Sequence, residues 1–133
     1  MWRTIASILA GLITWAVIVT VLNFGLRGAL TGYHAAEATL QFTLAMKIGR
    51  LCEAALSSLA AGAVIAWVDA SRRWAPWLVG LVLLASFLPV HVQLWAKFPV
   101  WYHLAFLLPL APLVVVGARL ASHRSALLKA EAA

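Results

Sequence analysis

The amino-acid sequence predicts an all-α protein, a four-helix transmembrane bundle with an extra amphipathic, protruding helical stretch before its second span. Three observations predict it. Of 133 residues, 65% are hydrophobic and only 11% charged, against roughly half and about a quarter in a typical soluble domain. Too few polar side chains are present to cover a water-facing outside. Four apolar runs approach the ~20 residues needed to cross a ~30 Å hydrocarbon core. Tryptophans and basic residues flank those runs, where amphipathic rings and cations favour the headgroup layer.

The first run, residues 4–26, begins after Arg3 and stops at Arg27. It is longer than the roughly 7–15-residue apolar core of a secretory signal, and no convincing small-x-small cleavage site follows, so it reads as a retained helix. Gly28 and Gly32 lie in the connection that follows. Residues 35–49 are rich in helix formers and carry Glu37, Gln41 and Lys47, the pattern of an interfacial or protruding stretch. The second span covers about residues 50–69. A single helix from Ala35 to Asp69 would be about 52 Å long and overshoot the bilayer, so a projection or a bend near Gly49 is expected. A short polar loop with Arg72 and Arg73 leads to the third span, about 75–95. Lys97, Phe98 and Pro99 then turn the chain into the fourth, about 101–121. Pro89, Pro109 and Pro112 fall within the last two spans, where neighbouring helices can satisfy the carbonyls that proline leaves free. The whole of 1–133 reads as one integral membrane domain.

Alternation of the spans gathers Arg3, Arg72, Arg73, Arg119, Arg124 and Lys129 on one face and Arg27, Lys47, Arg50 and Lys97 on the other. The excess of basic residues on the first face predicts that both termini are cytoplasmic. The net charge of +6 is thereby assigned to lipid headgroups, with no nucleic-acid partner expected.

Ionisable groups within spans are costly and are candidate functional residues. Lys47, Arg50 and Glu53 recur every third residue, and with Ser57 they share one side of a helix. They read either as the lining of an outward-facing pocket or as a structural Arg50–Glu53 pair with Lys47 reaching phosphate. His91 and His103 fall at similar depth on either side of the Lys97 turn. They could ligate a haem iron, or a metal with His34 or Glu37, although interfacial hydrogen bonding is the commoner role. The single His34-x-x-Glu37 pair is not the doubled motif of di-iron bundles. Ala54, Ser58, Gly62 and Ala66 form a small-residue stripe suited to close helix packing, within the bundle or as a homodimer seam. Cys52, the lone cysteine, reads as a packing residue. No nucleophile elbow, phosphate loop or zinc-protease motif is present, so no catalytic residue, metal ligand or cofactor is assigned.

The stretch His91-Val-Gln-Leu-Trp95-Ala-Lys97-Phe-Pro99-Val-Trp101-Tyr102-His103, together with Phe42-Thr-Leu-Ala-Met46, Arg50-Leu and Ser57-Ser58-Leu, resembles small, uncharacterised four-span inner-membrane proteins of bacteria. The resemblance implies a bacterial inner (cytoplasmic) membrane setting and transfers no activity or site residue. The expectation is a non-catalytic accessory or structural membrane protein that works by helix packing, as a homo-oligomer or in a larger membrane complex. The alternatives are a small-ligand binder or transporter with an outward polar pocket, and a redox protein linked to haem, quinone or a metal.

Overall fold

The computed structural model describes residues 1–132. Among them it is all-helical: α1 (Trp2–Ala29), α2 (Tyr33–Thr39), α3 (Leu44–Val68), α4 (Ala75–Gln93) and α5 (Val100–Glu131). Of these, α1, α3, α4 and α5 are long and apolar enough to cross a membrane. The last is 32 residues, about 48 Å at 1.5 Å per residue. Its C-terminal turns therefore run past the depth of a bilayer.

Around the bundle the order is α1, α3, α5, α4. Helix α3 packs on α1 and α5, and α4 packs on α5 and α1, leaving α3 and α4 on a diagonal. Chain alternation makes α3 and α5 parallel. Their crossing is the tightest in the molecule, because it is made by glycines. A Cβ built on Gly62 would lie 1.8 Å from the Val114 carbonyl oxygen, and one on Gly117 would lie 2.1 Å from that of Leu59. Helices in lipid gain little from the hydrophobic effect between them and are held by such close approach. The stripe Ala54, Ser58 and Gly62 is buried inside the chain, with Ala66 half-buried. Ala54, Ser58 and Gly62 thus take part in packing inside the bundle. Ser58 also accepts a hydrogen bond from the Trp15 indole at 3.1 Å and donates to the Ala54 carbonyl, tying α1 to α3.

The expected bend near Gly49 is not there. The break falls earlier, at residues 40–43, and Gly49 lies within α3, where an added Cβ would lie 3.0 Å from the Leu26 side chain. Thr43 sets the boundary, since its hydroxyl accepts from the Met46 amide as an N-cap and satisfies one of the donors a helix start leaves free. Two left-handed residues, Gly32 (φ 79°) and Leu40 (φ 57°), bracket α2. The amphipathic stretch consequently becomes one short helix folded over the end of the bundle, plus the first turn and a half of α3. Helices α4 and α5 continue through Pro89, Pro109 and Pro112.

Two apolar cores result. Trp15, Ile65, Val79, Leu110 and Val114 fill the middle of the bundle, while Tyr33, Ala36, Phe42, Met46, Phe98 and Tyr102 close the end under α2.

Candidate functional site

Between these two cores lies a cavity of about 430 Å³, within the roughly 300–1,000 Å³ range of small-molecule sites. Trp15, Phe87 and Phe106 form its deep wall, and Leu40, Phe42 and Phe98 close it from the α2 end. Trp15 and Phe87 are packed ring to ring at 5.0 Å, and Phe87 meets Phe106 edge-on at 5.2 Å. Into this aromatic chamber α2 contributes Glu37, α3 contributes Arg50 and Glu53, α4 contributes His91, and α5 contributes Tyr102.

The Arg50–Glu53 pair, one of the two readings of these residues, does not form among the described residues. Arg50 instead donates from Nη1 to Tyr33 Oη at 2.9 Å and from Nε to Tyr102 Oη at 3.3 Å, with its guanidinium 4.9 Å from the centre of the Phe42 ring. Asn23 of α1 also donates to Tyr33 Oη, at 3.1 Å. Burial holds the Tyr33 hydroxyl above its ordinary value of 10, against the pull of Arg50, so it remains a neutral link between the two. The reason is directional: residues three apart share a helix side, but the phenols of α2 and α5 offer the guanidinium a fixed socket. The ion pair of this end is Arg27 with Glu37, at 2.8 Å.

Glu53 is therefore left without a guanidinium partner, with the Asn23 side-chain amide as a neighbouring donor. It is 5% exposed, and its Oε1 has no hydrogen-bond partner among the described residues. Leaving a buried acceptor unmade costs about 1–3 kcal/mol, more when it is charged.

His91 and His103 do come together across the hairpin, Nδ1 to Nδ1 at 2.8 Å. One ring must donate and the other accept, so the pair shares a single proton in that bond. Two nitrogens on opposite sides of a metal at about 2.0–2.1 Å each would be about 4 Å apart; these Nδ1 atoms touch each other. His91 lines the cavity. His103 sits behind it, fully buried and stacked on Trp95 at 4.7 Å, its Nε2 without a partner.

Of the residues singled out from sequence, Glu37, Arg50, Glu53 and His91 converge on one cavity and His103 backs it. Ser57 is fully buried one turn deeper, off the cavity lining, as is Lys47, which is half-buried. His34 is exposed, and among the described residues no group of three or more His, Cys, Asp or Glu is placed to hold a metal. Cys52 lies on the outside of the bundle. Sequence reasoning passed over Asn23, Tyr33, Phe42 and Tyr102. Asn23 carried a signal, as a polar side chain inside an apolar run; the phenols did not, because an interfacial tyrosine is ordinary.

Comparison with protein-family models, curated proteins and solved structures returns no match.

Proposed function

We propose that this chain is a multi-pass protein of a bacterial inner membrane, both termini cytoplasmic, which binds a small amphipathic molecule in the cavity at its outer end. The observation that carries the reading is Glu53: a buried carboxyl with one oxygen unpartnered among the described residues, in the wall of an aromatic cavity that Arg50, His91 and Glu37 also line. Buried unpartnered polar groups are rare in folded proteins and call for an explanation; a ligand donating to Glu53 supplies one. The chamber selects an aromatic or branched apolar body. Its polar wall selects an uncharged hydrogen-bonding head, since a hydroxyl can donate to a carboxylate or accept from a carboxylic acid. The orientation rests on six basic residues at one end against four at the other.

Three matched probes test this in the detergent-solubilised protein: 2-naphthylmethanol, 2-naphthoate and 2-naphthylmethylamine, titrated against tryptophan fluorescence. The alcohol binds saturably with one site, at least tenfold tighter than either charged probe. Linear, non-saturating quenching by all three would contradict the proposal.

An accessory role through packing is supported by a different observation. Helix α1 is the least buried span, and Ile5, Leu9, Ile13, Val17 and Val21 make an unbroken exposed ridge along it. Site-specific photocrosslinkers at Ile13 and Val17 capture a partner helix on that reading and only lipid otherwise.

A further inference from the structure

At the opposite end, the α3–α4 turn and α5 enclose a second cavity of about 390 Å³. Arg72 and Arg73 reach it from the turn and Arg119 from α5; Asp69, Trp77 and Ser122 complete the relevant lining. Three guanidiniums around one pocket would ordinarily be neutralised by acids. Here the single acid is already engaged. Asp69 accepts from Thr4 Oγ1 at 2.8 Å through one oxygen and from the Ser71 amide and hydroxyl through the other. Its charge is matched nearby by Arg3, which donates to the Val68 carbonyl at 2.9 Å. Arg72, Arg73 and Arg119 form no ion pair among the described residues. Helix α4 starts at Ala75 beside this pocket, so the positive end of its dipole adds to the same field.

We infer that this pocket binds one phosphate group, taken from the headgroup of an anionic phospholipid. Planar guanidiniums match phosphate oxygens two at a time, and three of them exceed what a single phosphodiester balanced by its own choline cation would retain. The source is lipid because the pocket sits where the apolar spans end, with Trp67, Trp74 and Trp77 on the outside around it, the depth that indole rings favour at a headgroup layer. Unlike the general attraction of basic loops to a membrane, the pocket is one site of three arginines that holds one lipid. It is also independent of the outer cavity.

Native mass spectrometry of the full chain in a neutral detergent tests it, with phosphatidylglycerol, phosphatidylcholine and inorganic phosphate as probes. One phosphatidylglycerol is retained, with at least tenfold preference over phosphatidylcholine, and millimolar inorganic phosphate does not displace it. Arg119→Gln and the double variant Arg72→Gln/Arg73→Gln each lower retention at least tenfold. Lys129→Gln, a basic residue of the same end outside the pocket, leaves retention unchanged. These arginines are exposed, so their loss spares the fold, which circular dichroism verifies on the same samples. Equal retention of the two lipids, or unchanged retention in the arginine variants, overturns the inference. Displacement by inorganic phosphate overturns the lipid source.

Discussion

Glu53, inside the first half of α3, and Asp69, at its C-terminal cap, show how differently one chain treats two carboxyls. Asp69 has donors on both oxygens, and the Ser71 and Thr4 hydrogen bonds hold it below its ordinary value of 3.8. A depressed value means that the folded state favours the ionised form. Its contribution to stability is therefore complete above about pH 4 and is lost as the pH falls through the lower, folded value. Melting curves between pH 6 and 2 are expected to show the melting temperature of the wild type falling in the acid range, with a smaller fall for Asp69→Asn. Glu53 has a bare oxygen instead, and Glu53→Leu removes an unmade hydrogen bond at similar volume. That variant should melt later than the wild type, by a stability gain of about 1–3 kcal/mol, while losing at least tenfold in naphthylmethanol affinity. A variant that is both more stable and less able to bind marks a group kept for function. Spacing made Arg50, Glu53 and the two histidines visible in the sequence. It could not reveal that Tyr33 and Tyr102 take Arg50 away from Glu53, because that choice depends on helices 17 and 52 residues distant.

At the scale of elements, the spans were legible because each is a property of its own segment: an apolar run, a tryptophan belt, a flanking cation. The boundary between α2 and α3 was not. It depends on Thr43 as a cap and on Leu40 in a left-handed conformation, whereas Gly49 drew attention as the expected weak point and proved to be a packing glycine. Glycines of the same sequence thus play opposite parts. Gly62→Val would drive a side chain into the Val114 carbonyl, and overpacking of this kind costs about 1–3 kcal/mol or more. Gly25 has open space around its would-be Cβ, so Gly25→Ala should be neutral or stabilising by up to about 1 kcal/mol through helix propensity. Thermal unfolding of both variants in one detergent checks the contrast; equal losses would mean that α3 and α5 do not cross at Gly62 and Gly117.

The whole molecule divides its labour along its axis. Glycine-mediated contact locks α3 to α5 in the middle and lower part of the bundle, and toward the α2 end the helices enclose a chamber with aromatic walls and a polar lining. Helix α2, set by Gly32 and Leu40, brings Glu37 to that chamber, and Leu40 and Phe42 close it from the same side. The opposite end presents Arg72, Arg73 and Arg119, which form no ion pair among the described residues. Polar side chains that line cavities are thus gathered toward the two ends, while the packing that fixes their geometry lies between them. The most direct test is a structure of the protein with 6-bromo-2-naphthylmethanol, located by the anomalous signal of bromine. A single bromine site between Phe42, Phe87 and Phe106, with the hydroxyl in hydrogen-bond reach of Glu53, is the predicted result. An empty chamber, with bromine found only in lipid-facing grooves such as that beside Ile48 and Ala105, would contradict the account.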